Sequence, residues 1–97
     1  MAVKVIVEMK AKPGKRDELL RLVESIITEH GPNMPGSLGA TLYKAVDDPD
    51  MLVEIADWES AEAREAVLKE AQATGALAPM FDLLAAPPRG TLVEPLH

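Results

Sequence analysis

The sequence predicts one α+β domain over residues 1–97, with a ferredoxin-like β-α-β-β-α-β order, a split second helix and a four-stranded antiparallel sheet. Segments in which apolar and polar residues alternate are typical of strands, and longer segments with helical periodicity lie between them. The chain is also too short to build a second core. In this order the helices cover one face of the sheet.

The first strand is predicted over residues 3–10, where the odd-numbered residues are all apolar and form one face. A Pro-Gly turn within residues 12–15 ends this strand. The first helix is predicted over residues 15–30, because its apolar residues recur every three or four positions. Gly31 then marks its C-terminal end.

A second strand is predicted over residues 38–46 and a third over residues 51–58, and a polar turn at residues 47–50 joins them as a hairpin. Ser60 is the predicted N-cap of a helix over residues 61–73. Ala63, Ala66, Val67 and Glu70 are predicted to lie along one stripe of this helix.

The second helix is predicted to continue as a separate piece. Thr74 and Gly75 interrupt it, and helical periodicity resumes over residues 77–85. A proline-rich break follows, and the last strand is predicted over residues 91–96.

The predicted third strand is apolar on both faces. One face carries Met51, Val53 and Ile55, and the other carries Leu52, Ala56 and Trp58. Helices can cover only one of these faces, and a monomer rarely exposes an apolar patch of that size. The sequence therefore predicts a homodimer in which the uncovered faces of two sheets pack together.

The composition excludes several classes of function. A net charge of −6 and scattered basic residues disfavour nucleic acid, which binds to clustered Lys and Arg. The absence of cysteine excludes disulfides, thiolate metal sites and a Cys nucleophile. No apolar run approaches the roughly 18 residues of a membrane span, and the first residues do not resemble a signal peptide. We expect a cytoplasmic protein with no membrane partner.

Trp58 and Glu54 are the candidate catalytic residues. Trp58 is the single tryptophan and ends the third strand, where it either packs under the second helix or borders a pocket. Glu54 lies on the same face, in a strand interior where Glu is uncommon. Burial under the helices would raise its pKa and suit it to act as an acid or base. The alternative is an ion pair with Lys4, Lys10 or Lys44.

Three further residues are candidates for a substrate pocket. Tyr43 could direct its hydroxyl into the pocket or pack across the strands, and Met80 and Phe81 could wall an apolar cavity or complete the core. His30 suits the end of the first helix, where a protonated imidazole complements the helix dipole. The histidines form no metal motif, and phosphate-loop and dinucleotide motifs are absent. We therefore expect neither metal nor cofactor.

Three short motifs occur in a specific order and spacing: Lys12-Pro13-Gly14-Lys15 before the first helix, Pro35-Gly36 before the second strand, and Asp57-Trp58-Glu59-Ser60 after the third. Together with the hairpin at residues 43–50, they resemble the antibiotic biosynthesis monooxygenase family. The resemblance covers most of the chain. It implies a dimeric α/β barrel built from the sheets of two subunits, with a pocket between sheet and helices in each.

The resemblance also implies a range of activities, including cofactor-independent oxidation of polyketide-derived phenols, quinol oxidation and haem degradation. The pocket tryptophan of the family matches Trp58. The asparagine that polyketide-oxidising members carry four residues earlier falls on Glu54. The Asn and His of haem-degrading members have no counterpart in residues 5–8 or 77–80, which disfavours haem.

We therefore expect a monooxygenase that acts on a small aromatic, phenolic or quinol-type substrate with molecular oxygen and without cofactor. One alternative is a non-catalytic ligand-binding or stress-response dimer, and another is isomerase or decarboxylase chemistry on the same scaffold. An oxygenase predicts an enclosed pocket that reaches Trp58 and Glu54.

Overall fold

The computed structural model describes residues 2–96. Its strands are β1 (Val3–Lys10), β2 (Ser37–Lys44), β3 (Met51–Trp58) and β4 (Arg89–Val93). Its helices are α1 (Arg16–His30), α2 (Ala61–Thr74) and α3 (Ala78–Asp82), and a short 3₁₀ turn covers Gly31–Asn33. The strands are all antiparallel in the order β2-β3-β1-β4. The predicted ferredoxin-like α+β class is confirmed.

The last strand differs from its prediction, which placed it at residues 91–96. β4 begins at Arg89 and ends at Val93, because it pairs with β1 from Glu8 back to Lys4, and β1 has only Val3 beyond that pair. Pro95 also lacks the N–H that further pairing would require. The strand therefore starts inside the segment that had been interpreted as a break.

The core lies between the sheet and the helices. Odd-numbered residues of β1 and even-numbered residues of β3 share the covered face, because the strand register sets Val5 opposite Ala56. The most completely buried large side chains are Val5, Met9, Leu19 and Leu52. Burial of each such side chain contributes about 1.5–3 kcal/mol, so α1 is held to the sheet mainly by apolar packing.

Ser60 and Gly36 position the start of α2 over the sheet. The Ser60 Oγ accepts a hydrogen bond from the Ala63 backbone N–H at 3.1 Å, which confirms the predicted N-cap. Gly36 has a φ of 85°, and a Cβ on it would lie 2.6 Å from the Cβ of Ala63. Only glycine lets the chain before β2 approach α2 this closely.

The opposite face of the sheet lies away from the helices. At its centre Ile6 is paired with Ile55, and Thr41 of β2 lies on the other side of Ile55. Tyr43 is on the same face, opposite Val53, and its side chain is 51% exposed. This face, formed by odd-numbered residues of β3 and their cross-strand partners, is called the outer face below. Within residues 2–96, no helix has both the length and the apolar character that a bilayer crossing requires.

Candidate active site

A cavity of about 630 Å³ lies between the covered face of the sheet and the helices. Its volume falls in the range of small-molecule sites. Most of the wall is aliphatic, with side chains contributed by β1, α1 and α2. These include Val5, Val7, Val23, Ile26, Ile27, Val67, Leu68 and Ala71. The cavity is large enough for one aromatic ring system.

Trp58 ends β3 and forms part of the cavity wall. Its side chain is 8% exposed and packs with Val5 and Ala56, and Ala63 and Val67 of α2 lie against this cluster. Trp58 therefore belongs to the core and also borders the cavity. Its N–H has no hydrogen-bond acceptor among residues 2–96.

Glu54 lies in the middle of β3, between Val7 of β1 and Leu42 of β2, and its side chain lines the cavity. Burial raises the pKa of the Glu54 carboxyl above its ordinary value, and the positive charge of Arg64 opposes this shift only in part. Within residues 2–96, the carboxylate forms no ion pair and accepts no hydrogen bond.

The alternative ion pair between Glu54 and a strand lysine is not formed. Lys4 pairs with Asp57 at 2.7 Å, and Lys10 pairs with Asp48. Both lysines are even-numbered residues of β1 and therefore point to the face opposite Glu54. Lys44 is exposed at the end of β2 and has no ion pair with any described residue.

Arg64 is a cavity residue that the sequence interpretation missed. It lies on α2, and its guanidinium Nη2 is 3.1 Å from the position that a Cβ on Gly90 would occupy. Two residues of the predicted stripe, Ala66 and Glu70, are exposed and do not line the cavity. The residues of α2 that line the cavity are Arg64, Val67, Leu68 and Ala71. Their three- and four-residue spacing is the signal that could have placed Arg64 on the inner face.

The other predicted site residues are distributed between the cavity and the surface. Met80 and Phe81 line the cavity, and Met80 also packs against the core. Tyr43 does not line the cavity, because its pairing with Val53 places it on the outer face. The prediction that Tyr43 belongs to the pocket is therefore wrong. His30 is exposed at the end of α1. Among residues 2–96, no group of three or more His, Asp or Glu side chains could hold a metal ion.

The fold and the cavity together define a small α+β domain with an apolar cavity between a ferredoxin-like sheet and its helices. The family model of the antibiotic biosynthesis monooxygenases matches residues 2–78. The chain belongs to this family. No curated protein sequence matches the chain significantly.

Solved structures with the same fold extend over the whole chain. A candidate antibiotic biosynthesis monooxygenase from Chloroflexus aurantiacus J-10-fl has 28% identity and a TM-score of 0.73, over 100% of this chain and 97% of that one. A Mycobacterium tuberculosis protein has 25% identity and a TM-score of 0.80, with the same two coverages. SnoaB from Streptomyces nogalater, a cofactor-independent oxygenase solved as a mutant, has 17% identity and a TM-score of 0.80, over 99% and 94%. At that identity SnoaB shows the fold alone.

Proposed function

We propose that this protein is a cofactor-independent monooxygenase that oxidises a small aromatic, phenolic or quinol-type substrate in the cavity. The observation that carries the proposal is the lone carboxylate of Glu54 in an apolar cavity wall beside Trp58. A carboxylate with a raised pKa is a stronger base than an ordinary Glu, and it removes a phenolic proton more readily. The family membership and the fold shared with SnoaB, a cofactor-independent oxygenase, support the same chemistry.

The reaction needs no electron source other than the substrate. Glu54 accepts the phenolic proton, and the electron-rich phenolate then reduces molecular oxygen. A new C–O bond forms at a ring carbon, the O–O bond breaks, and the hydrogen on that carbon is lost as a proton. The second oxygen atom leaves as water. Phenol and oxygen thus give a quinone and water, with the substrate supplying all four electrons.

The apolar wall has two roles in this proposal. It stacks against the aromatic ring of the substrate, with Trp58, Met80 and Phe81 as its larger side chains. It also keeps water from the reduced-oxygen intermediate, which would otherwise decompose before oxygen insertion. Trp58 is therefore assigned to binding and water exclusion, and Glu54 to proton transfer.

We further propose that the protein acts as a homodimer in which two outer faces pack together. The supporting observation is the apolar centre of that face, where Ile6 of β1 is paired with Ile55 of β3 and Val53 of β3 is paired with Tyr43 of β2. Packing a second sheet there would bury these side chains and contribute hydrophobic stabilisation.

Oxygen uptake tests the proposed function. Wild type is assayed with a panel of naphthols, dihydroxynaphthalenes and quinols in an oxygen electrode, alongside Glu54→Gln and the control Glu24→Gln. Glu24 is exposed on α1 and lies outside the cavity. Because Glu54→Gln removes the general base, its rate of oxygen uptake is expected to be about 100-fold or more below that of wild type. The rate of Glu24→Gln should equal that of wild type.

Ligand binding without turnover would favour a binding protein instead. Because Trp58 is the single tryptophan and borders the cavity, its fluorescence reports occupancy directly. Fluorescence quenching by the panel with no oxygen consumed in wild type would overturn the oxygenase proposal. Loss of deuterium from a labelled substrate without oxygen uptake would instead indicate isomerase chemistry at Glu54, and release of carbon dioxide without oxygen uptake would indicate a decarboxylase.

A further inference from the structure

We infer that the Arg64 guanidinium binds an anionic oxygen of the substrate, which makes an aromatic or quinol-type acid the preferred substrate class. This inference rests on the proposed function, because it names the substrate class of the same cavity. It depends on the charge distribution of the cavity wall, on the geometry around Arg64 and on the hydrogen-bonding capacity of a guanidinium.

Two charged side chains, Glu54 and Arg64, line the cavity within the part of the chain that the structure describes. The remaining lining residues are apolar or neutral. A positive charge in an apolar wall interacts more strongly with a ligand than one at the surface, because water screens it less. Arg64 therefore exerts the main attractive force on an anionic ligand.

The Arg64 guanidinium is available to a ligand. No carboxylate among residues 2–96 lies within 4.0 Å of it, and it forms no side-chain hydrogen bond with them. Among the same residues, Arg16 Nε is the one side-chain nitrogen that is buried and has no hydrogen bond. No nitrogen of Arg64 is therefore both buried and without a partner. The nitrogens of Arg64 are thus accessible from the cavity or from solvent.

Gly90 of β4 makes room for this arrangement. A Cβ at that position would lie 3.1 Å from Arg64 Nη2, which is closer than ordinary van der Waals contact. Glycine therefore lets the guanidinium rest beside the β4 backbone at the cavity wall. A larger residue at position 90 would push the charged group away while leaving its charge intact.

An anion fits Arg64 better than a neutral polar group does. A guanidinium has five N–H donors and no acceptor, and its planar fork matches the two oxygens of a carboxylate. Such charge-assisted bonds are about twice as strong as neutral ones.

The test compares the binding of three probes of one ring size by calorimetry: 2-naphthoate, its methyl ester and 2-naphthol. We expect wild type to bind the acid more tightly than the ester. Arg64→Gln should weaken acid binding roughly 10- to 100-fold and change ester binding less than about threefold. Arg64→Lys should retain part of the preference. A matched control, Lys69→Gln, removes a positive charge from the same helix outside the cavity and should have no effect.

Gly90→Val provides a second variant that leaves Arg64 in the sequence, and it should also weaken acid binding relative to ester binding. Thermal unfolding confirms that each variant is folded. Increasing affinity for 2-naphthol as the pH approaches its ionisation, absent from Arg64→Gln, would identify a phenolate as the anion that Arg64 binds. Equal binding of acid and ester by wild type, an acid preference that persists in Arg64→Gln, or binding of no probe at all would overturn the inference. Acid binding without oxygen uptake would leave it standing and refute the oxygenase proposal alone.

Discussion

Glu54 of β3 and Arg64 of α2 line the same cavity without forming an ion pair, because no guanidinium nitrogen lies within 4.0 Å of a Glu54 carboxylate oxygen. Burial therefore dominates the electrostatics of Glu54, and its pKa is raised despite the nearby positive charge. In a direct ion pair, the charge of each group would have been compensated by the other. Their separation is the basis for the two roles proposed above, proton transfer by Glu54 and ligand recognition by Arg64.

Glu54→Gln is expected to make stability less dependent on pH. Below the ordinary pKa of 4.5, Glu54 is neutral in both the folded and the unfolded state, so its ionisation does not change the free energy of unfolding. As the pH rises from 4.5 through the raised folded pKa, the unfolded state ionises first and the fold loses stability. The variant lacks this penalty. Its Tm should match that of wild type near pH 4 and exceed it at pH 8; a lower Tm than wild type at pH 8 would contradict the shift.

Asp48→Asn is expected to have the opposite pH dependence. The hydrogen bond from Lys10 holds the pKa of Asp48 below its ordinary value of 3.8, with a further contribution from the backbone N–H of Asp50. Its stabilisation is present above pH 3.8 and is lost as the pH falls through the lowered pKa. The variant should be less stable than wild type at pH 7, and the difference should vanish at low pH.

The measurement is urea unfolding of Asp48→Asn at pH 7 and pH 3, with Asp47→Asn as its control. Asp47 is exposed in the same turn and forms no ion pair with a described residue. A destabilisation of Asp48→Asn that is the same at both pH values would show that its charge is not the cause.

Gly36→Ala is expected to destabilise the fold more than Gly14→Ala. Both glycines have a positive φ, 85° and 77°, so each substitution carries a backbone cost of about 1–2 kcal/mol. At Gly36 the added Cβ would also lie 2.6 Å from the Cβ of Ala63, whereas no atom lies within 4 Å at Gly14. Overpacking of this kind adds about 1–3 kcal/mol.

Urea unfolding of the two glycine variants should give a free energy of unfolding about 3 kcal/mol lower than wild type for Gly36→Ala. Gly14→Ala should be about 1 kcal/mol lower. Because Gly36 lies against the first turn of α2, the Gly36 variant should also bind cavity ligands more weakly. Equal stabilities of the two variants would show that α2 moves away without cost.

Ile55→Glu is expected to convert the proposed homodimer to a monomer. Ile55 lies at the centre of the outer face, between Ile6 and Thr41, so a charge there would be buried in the interface without a partner. Light scattering coupled to gel filtration measures the mass. Val46→Glu serves as control, because Val46 is fully exposed after β2. A monomeric wild type, or a dimer that persists in Ile55→Glu, would show that the outer face is not the interface.

The positions of Tyr43 and Arg64 could not be predicted from the sequence alone. Alternation within β3 put Glu54 and Trp58 on one face, as the structure has them. The face of Tyr43 depends on which residue of β3 it pairs with, and its partner is Val53. Arg64 has the helical spacing of a cavity residue, but a charged side chain in that pattern is usually exposed, so its inward position was not predicted.

The sequence alone determined the order of the strands and helices and most of the turns between them, because periodicity, caps and proline are local properties of the chain. It also determined that Glu54 and Trp58 share a face, since side chains alternate within one strand. Only the tertiary structure decided that Arg64 and Gly90 meet at the wall beside them and that β4 ends at Val93. Those facts depend on the register between distant strands and on the rotation of α2 over the sheet, which are set by packing across the whole domain.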